Sequence, residues 1–148
     1  MEYKHILLAT DGSELMGPVY EHCAYLARLT HATVSIVYVL DIEGVPPEFT
    51  VVKGEENVYD DLLTAGGTIV EKAKSALLLR GVDEKAITEA VLEGNPWDEI
   101  HAYVTRQAID LVITGTHRRK GLSRLHIGST VDRIIRSTEV PVLVVRGA

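Results

Sequence analysis

Short apolar runs rich in β-branched residues alternate along the chain with segments of helical periodicity. Four of the runs are apolar nearly throughout, which is typical of strands covered by helices on both faces, and a fifth mixes polar and apolar residues. The predicted strands span residues 6–9, 34–40, 86–92, 111–114 and 140–145. The predicted helices span 14–29, 57–80, a segment that begins at Pro96 with Asn95 as its cap, and 128–137. This βαβαβαβαβ order predicts right-handed crossovers and a parallel sheet.

One domain accounts for the length of the chain. At 148 residues, such a domain buries roughly 70% of its unfolded surface, which is enough for a hydrophobic core. The sequence contains no internal repeat, no low-complexity tract and no linker between units. We therefore predict a single α/β domain over residues 1–148, with helices on both faces of a five-stranded, doubly wound parallel sheet.

Charge and cysteine content restrict the class of protein. The net charge of −6 disfavours general nucleic-acid binding. Cys23 is the only cysteine, which suits a reducing compartment, and its position on the apolar face of the first helix indicates core packing. The N-terminal residues lack a signal-peptide pattern, and no apolar run approaches the ~20 residues that cross a bilayer. We expect a cytoplasmic protein that binds neither nucleic acid nor membrane.

Two segments with polar side chains and glycines follow the first and fourth predicted strands. Because ligands bind outside the carboxyl ends of parallel strands, both segments lie where a site is expected. Residues 128–130 begin the last helix, where backbone N–H groups and the helix dipole favour an anion. The segments are Ala9-Thr10-Asp11-Gly12-Ser13 and 115–121, the second of which carries His117, Arg118, Arg119 and Lys120. Bound phosphate is one interpretation; helix capping by Asp11 and Ser13, with a solvated basic loop, is the other.

Other kinds of site have little support in the sequence. Neither the P-loop pattern nor the Gly-x-Gly-x-x-Gly fingerprint is present. The six histidines are scattered without a metal-binding spacing, so we predict no metal site. No spacing indicates a Ser-His-Asp or Cys-His arrangement, and we assign no catalytic residue.

The segment after the fourth strand resembles the glycine-rich signature of the universal stress protein family. That signature reads Gly, two residues, Gly, nine residues, Gly, then Ser or Thr, and residues 115–129 read GTHRRKGLSRLHIGS. The resemblance extends over nearly the whole chain. It includes the segments ILLATDGS (6–13), VYVLD (37–41), EGNPWDEI (93–100) and VPVLVV (140–145).

The resemblance implies a flavodoxin-like sheet of order 3-2-1-4-5 that binds ATP, or AMP or ADP, accompanied by Mg²⁺, as a regulatory ligand in the stress response. Asp11 would bind the ribose, Ala9 and Thr10 would line the purine side, and Val39 would meet the adenine edge through its backbone. The remaining residues implied to contact the ribose and phosphates are Thr114, Gly115, Gly128, Ser129 and Thr130.

The second glycine of the signature is replaced by Arg118. Arginine at positive φ costs roughly 1 kcal/mol or more, yet a guanidinium is a good phosphate partner. Two functions therefore stay open: a nucleotide-dependent regulatory protein, and a dimeric interaction module that has lost the nucleotide. A slow ATPase is a third, for which the sequence supplies no evident general base.

Two further segments bear on assembly. Residues 42–56 form a long connection with two prolines, readable as a lid, a contact with a partner subunit or a disordered excursion. The last strand is uncharged over 142–145 and lies at the sheet edge in the order 3-2-1-4-5. Unprotected edges pair with other strands, so we predict a homodimer joined through this strand, as the resemblance also implies.

Overall fold

The computed structural model describes residues 1–41, 58–116 and 129–146. The predicted connection 42–56 and Arg118 therefore lie outside the described residues. Strands and helices alternate in the predicted order. They are β1 (His5–Ala9), α1 (Gly17–Thr30), β2 (Thr33–Leu40), α2 (Val58–Leu79), β3 (Ile87–Glu93), α3 (Pro96–Arg106), β4 (Leu111–Thr116), α4 (Ser129–Ser137) and β5 (Val142–Arg146).

The five strands form one parallel sheet in the order β3-β2-β1-β4-β5, which confirms the predicted topology. The chain starts in the middle of the sheet, adds β2 and β3 on one side, and then returns to add β4 and β5 on the other. The strand order thus reverses between β1 and β4. Crevices at such reversals are where doubly wound folds bind ligands.

Two hydrophobic layers cover the sheet, one on each face. On the first face, α1 and α2 pack through residues such as Val19, Cys23 and Leu77. On the second face, α3 and α4 pack through Ile100 and Ile134 among others. Cys23 is fully buried, and burial raises the pKa of its thiol to about 12, so it behaves as a core residue as predicted.

The structure corrects several predicted boundaries. A 3₁₀ turn (Glu14–Met16) precedes α1, so the first predicted helix is two pieces. Asn95 occupies the N-cap position of α3, but its side chain makes no capping hydrogen bond. The strand β4 extends to Thr116, two residues beyond the prediction, because Gly115 and Thr116 pair with β5.

Candidate functional site

The crevice between β1 and β4 brings together three of the predicted site residues. Leu8 pairs with Ile113 and Ala9 pairs with Val37, so the carboxyl ends of β1, β2 and β4 lie side by side. Ala9 and Val39 pack with the core layer of α3 and α4. Because side chains alternate along a strand, Thr114 faces the same layer as Val112. Ala9, Val39 and Thr114 therefore line one face of the crevice.

The loop after β1 turns through side-chain hydrogen bonds. Asp11 Oδ1 accepts a hydrogen bond from Ser13 N at 2.9 Å, and Ser13 Oγ accepts one from Leu15 N at 3.2 Å. Ser13 thereby caps the 3₁₀ turn, as the capping interpretation predicts. Asp11 itself is an exposed residue at the end of β1.

Thr10 is held by the α1 side of the molecule. Its side chain is buried, and its Oγ1 lies 3.2 Å from the Tyr20 hydroxyl and accepts a hydrogen bond from Gly12 N. Burial raises the pKa of the Tyr20 phenol, which keeps it protonated and able to hydrogen-bond. The backbone N–H of Thr10 donates to Val37 O at 3.0 Å. Thr10 thus fixes the loop, and its side chain lies on the opposite face from Ala9.

Gly12 sets the path of this loop. Its φ is +77°, a conformation that favours glycine, and an added Cβ would lie 2.7 Å from Ile69 Cγ1 of α2. The loop therefore lies directly against α2, which positions the adjacent Asp11. The sequence marked Gly12 as part of the motif, but the contact with Ile69 required the fold.

Gly115 is required by packing on the face opposite the crevice. A Cβ at this position would lie 2.7 Å from Val19 Cγ2 and 3.7 Å from Met16 Sδ, so α1 occupies the space of the missing side chain. The absence of a side chain lets α1 approach the end of β4, next to Thr114 and Thr116.

This packing gives a prediction for stability. We expect Gly115→Ala to lower the free energy of unfolding by about 1–3 kcal/mol, because the new methyl group overpacks a buried site. The measurement is chemical denaturation, with Gly67→Ala as the control, since Gly67 is helical and has open space around it. Val19→Ala also destabilises the core on its own. The free-energy cost of the double variant should nevertheless be smaller than the sum of the two single costs, because Val19→Ala makes room for the methyl group at position 115. Equal stability of Gly115→Ala and the unmodified protein would contradict the contact.

The last helix begins at the carboxyl edge of the sheet. Residues Ser129 and Thr130 form the first turn of α4, as predicted, and free backbone N–H groups are a general feature of such a turn. Gly128 and the basic residues 117–120 lie outside the described residues. Beyond the predicted set, Thr116 lies on the same face as Thr114 and is 2% exposed, and its Oγ1 has no hydrogen-bond partner. Its hydroxyl could not be distinguished in the sequence from any other loop threonine.

Histidine and metal-binding side chains do not cluster in the described part of the chain. No group of three or more His, Cys, Asp or Glu side chains comes together there in a metal-binding arrangement. His5 lies at the amino-terminal end of β1. Its Nε2 is 2.6 Å from Ser35 Oγ, and its Nδ1 is 3.0 Å from the carbonyl oxygen of Gln107. These contacts tie β1 to β2 and to the end of α3, which is a structural role.

Comparison with known proteins identifies the family. The model of the universal stress protein family matches residues 2–146. The chain belongs to the universal stress protein family. Universal stress protein MJ0531 of Methanocaldococcus jannaschii is 34% identical over 148 residues, which cover 97% of this chain and 82% of that protein.

None of the helices in the described ranges is both long and apolar enough to span a membrane.

Solved universal stress proteins share the fold. A universal stress protein in complex with cAMP superposes with a TM-score of 0.72 at 18% identity, covering all of both chains. The universal stress protein from Archaeoglobus fulgidus in complex with dAMP gives a TM-score of 0.71 at 20% identity, covering 97% of this chain and 98% of that one. At these identities the likeness establishes the fold.

Proposed function

We propose that this universal stress protein binds an adenine nucleotide as a regulatory ligand in the crevice between β1 and β4. The observation that carries the proposal is the convergence of Ala9, Val39 and Thr114 on one face at the reversal of strand order. An apolar wall beside a helix start is suited to a flat base joined to phosphates. The complexes of two relatives with cAMP and dAMP support an adenine ligand.

Each proposed contact follows from the chemistry of the residue. The Asp11 carboxylate accepts hydrogen bonds from the ribose hydroxyls, while Ala9 and Val39 contact the base and Thr10 holds the loop. Thr114 and Gly115 lie beside the ribose and phosphates, and Gly128, Ser129 and Thr130 hold the phosphates at the start of α4. A Mg²⁺ ion would be coordinated by the phosphate oxygens, as is usual for this ion. The described residues form no separate metal cluster.

Regulation rather than turnover is the proposed use of the nucleotide, with the protein acting in the cytoplasm. The side chains that face the crevice from the strands are apolar or hydroxyl-bearing, and these groups bind a ligand without providing a general base. We further propose that the protein acts as a homodimer joined through β5, whose residues Val142, Leu143 and Val144 are only half-buried in the single chain.

Calorimetric titration tests the proposed ligand. We expect saturable binding of ATP, ADP or AMP, and much weaker binding of GTP, because the backbone at Val39 presents a fixed pattern of donors and acceptors to the base edge. Mass spectrometry of small molecules released from the purified protein checks whether an adenine nucleotide is carried through purification. Absence of heat with every adenine nucleotide would contradict the proposal.

A further inference from the structure

A groove runs between α1 and α2, the two helices that cover the first face of the sheet. Its floor includes Ala24 of α1, a buried residue whose short side chain leaves space above it. The groove has a volume of about 280 Å³ and is lined by Glu21, Ala24, Tyr25, Arg28 and Arg80. None of these residues belongs to the proposed nucleotide site.

Large apolar side chains border this groove and are exposed. Tyr25 is 62% exposed, and Leu29, four residues later on the same side of α1, is 63% exposed. Leu79, at the end of α2 and next to Arg80, is 87% exposed. Single exposed apolar residues are normal on a protein surface, but three around one groove form the kind of patch that marks an interaction site.

Two arginines give one end of the groove a positive charge. Arg28 Nη1 donates a hydrogen bond to Arg80 O at 3.4 Å, and Arg80 Nη1 donates one to Ala76 O at 3.0 Å. These hydrogen bonds orient both guanidinium groups and leave each with further N–H donors. Within the described ranges, no carboxylate forms an ion pair with either arginine. Glu21 lies seven residues before Arg28, about 10 Å away along α1, at the other end of the groove.

We infer that the α1–α2 groove docks an acidic, amphipathic helical segment of a partner protein. The apolar side chains of the segment cover Tyr25, Leu29 and Leu79, as amphipathic helices do in grooves of this kind. Its carboxylates pair with Arg28 and Arg80, because a guanidinium binds a carboxylate through two parallel hydrogen bonds. Charge complementarity supports an acidic partner, since a chain with a net charge of −6 places two arginines at this one groove.

A second copy of the chain fits this groove less well. In a two-fold dimer the same surface lies on both sides of the interface, so Arg28 and Arg80 of one protomer would approach those of its partner. Like charges placed opposite each other in an interface are unfavourable. The groove therefore suits a partner of opposite charge.

Selection from a peptide library tests the inference without knowledge of the partner. Random peptides of about 12 residues, roughly three helical turns, are displayed on phage and selected against the immobilised full chain. The enriched peptides should combine Asp or Glu with Leu, Ile, Phe or Trp. Their affinity, measured by fluorescence anisotropy, should fall about tenfold with Arg28→Gln and about tenfold with Leu79→Ser.

Two matched variants control for the loss of apolar surface and of charge. Leu78→Ser changes the neighbouring leucine, which is 39% exposed and points about 100° away around α2. Arg106→Gln removes a positive charge from the exposed end of α3, on the other face of the sheet. Both variants should bind the peptides as the unmodified protein does, and thermal unfolding checks that every variant is folded.

Several results would overturn the inference. These are a failure to enrich any peptide, an enrichment of basic peptides, and affinities that Arg28→Gln and Leu79→Ser leave unchanged or that the two controls lower equally. Light scattering tests the second copy as occupant: if Leu79→Ser lowers the mass of the assembly, the groove joins two copies and docks no partner segment. None of these results depends on nucleotide binding, so the proposed function stands or falls separately.

Discussion

Replacing Asp11 with alanine should weaken nucleotide binding by about 100-fold without unfolding the protein. The carboxylate is exposed at the end of β1, and the loss of two hydrogen bonds between a charged group and the ribose accounts for an effect of this size. Asp11 also accepts a hydrogen bond from Ser13 N, so the substitution changes the loop as well. Calorimetric titration with ATP measures the affinity, and thermal unfolding measures the change in stability.

A second aspartate separates the two effects. Asp83 Oδ1 accepts a hydrogen bond from Lys85 N at 3.0 Å, the same two-residue pattern that Asp11 makes with Ser13. Asp83, however, precedes β3 and so lies at the amino-terminal ends of the strands, away from the proposed site. Asp83→Ala should cost similar stability and leave the affinity for ATP unchanged. Equal affinities of Asp11→Ala and Asp83→Ala would remove Asp11 from the proposed site.

Replacing Val144 with proline should convert the predicted homodimer into monomers. The N–H of Val112 donates to the carbonyl of Pro141, and Val112 is in register with Val142. In a parallel ladder this arrangement directs the backbone groups of residues 141, 143 and 145 towards β4, and those of 142, 144 and 146 towards the free edge. Proline at 144 therefore removes a donor from the outer edge and leaves the ladder to β4 intact.

Matched variants make this test specific. Val144→Ala loses the same side chain but keeps the N–H, so it should remain dimeric. Leu143→Pro breaks the inner ladder and should strongly destabilise the fold. Light scattering at roughly tens of micromolar should give twice the chain mass of 16.2 kDa for the unmodified protein, since a Kd of about 1 µM gives mostly dimer at that concentration. A monomeric unmodified protein would contradict pairing through β5.

The order of elements was predictable because the buried strands are continuous apolar runs and the helices have a clear period. The strand order came from the family resemblance, and the structure confirms it. The end of β4 was not predictable, since Gly115 is a poor strand former that interrupts the run, and Gly115 and Thr116 pair with β5, which is distant in the sequence. The strand propensities of residues 115 and 116 do not indicate that they pair with a strand distant in the sequence.

The candidate site was predictable as a set of strand ends and less so as a set of side-chain directions. The alternation of β1 places Ala9 in the crevice and turns Thr10 towards Tyr20, although the motif presents the two as neighbours. The resemblance implies that Gly115 lies near the ribose and phosphates, and this stays a prediction; what the sequence could not show is that Val19 fills the space of its missing side chain. The pairing of Thr116 with Arg146 joins residues 30 positions apart, which only the sheet register reveals.

The central claim is that a nucleotide binds at the carboxyl ends of β1, β2 and β4, and amide chemical shifts test it most directly. A ¹⁵N-labelled sample titrated with ATP should show its largest shifts at residues 9–13, at Val39, at 114–116 and in the first turn of α4. The amide signals of His5, Thr33 and Asp110, at the amino-terminal ends of the strands, should not move. Saturating shifts confined to those amino-terminal ends, or no shifts at about 1 mM ATP, would contradict the account.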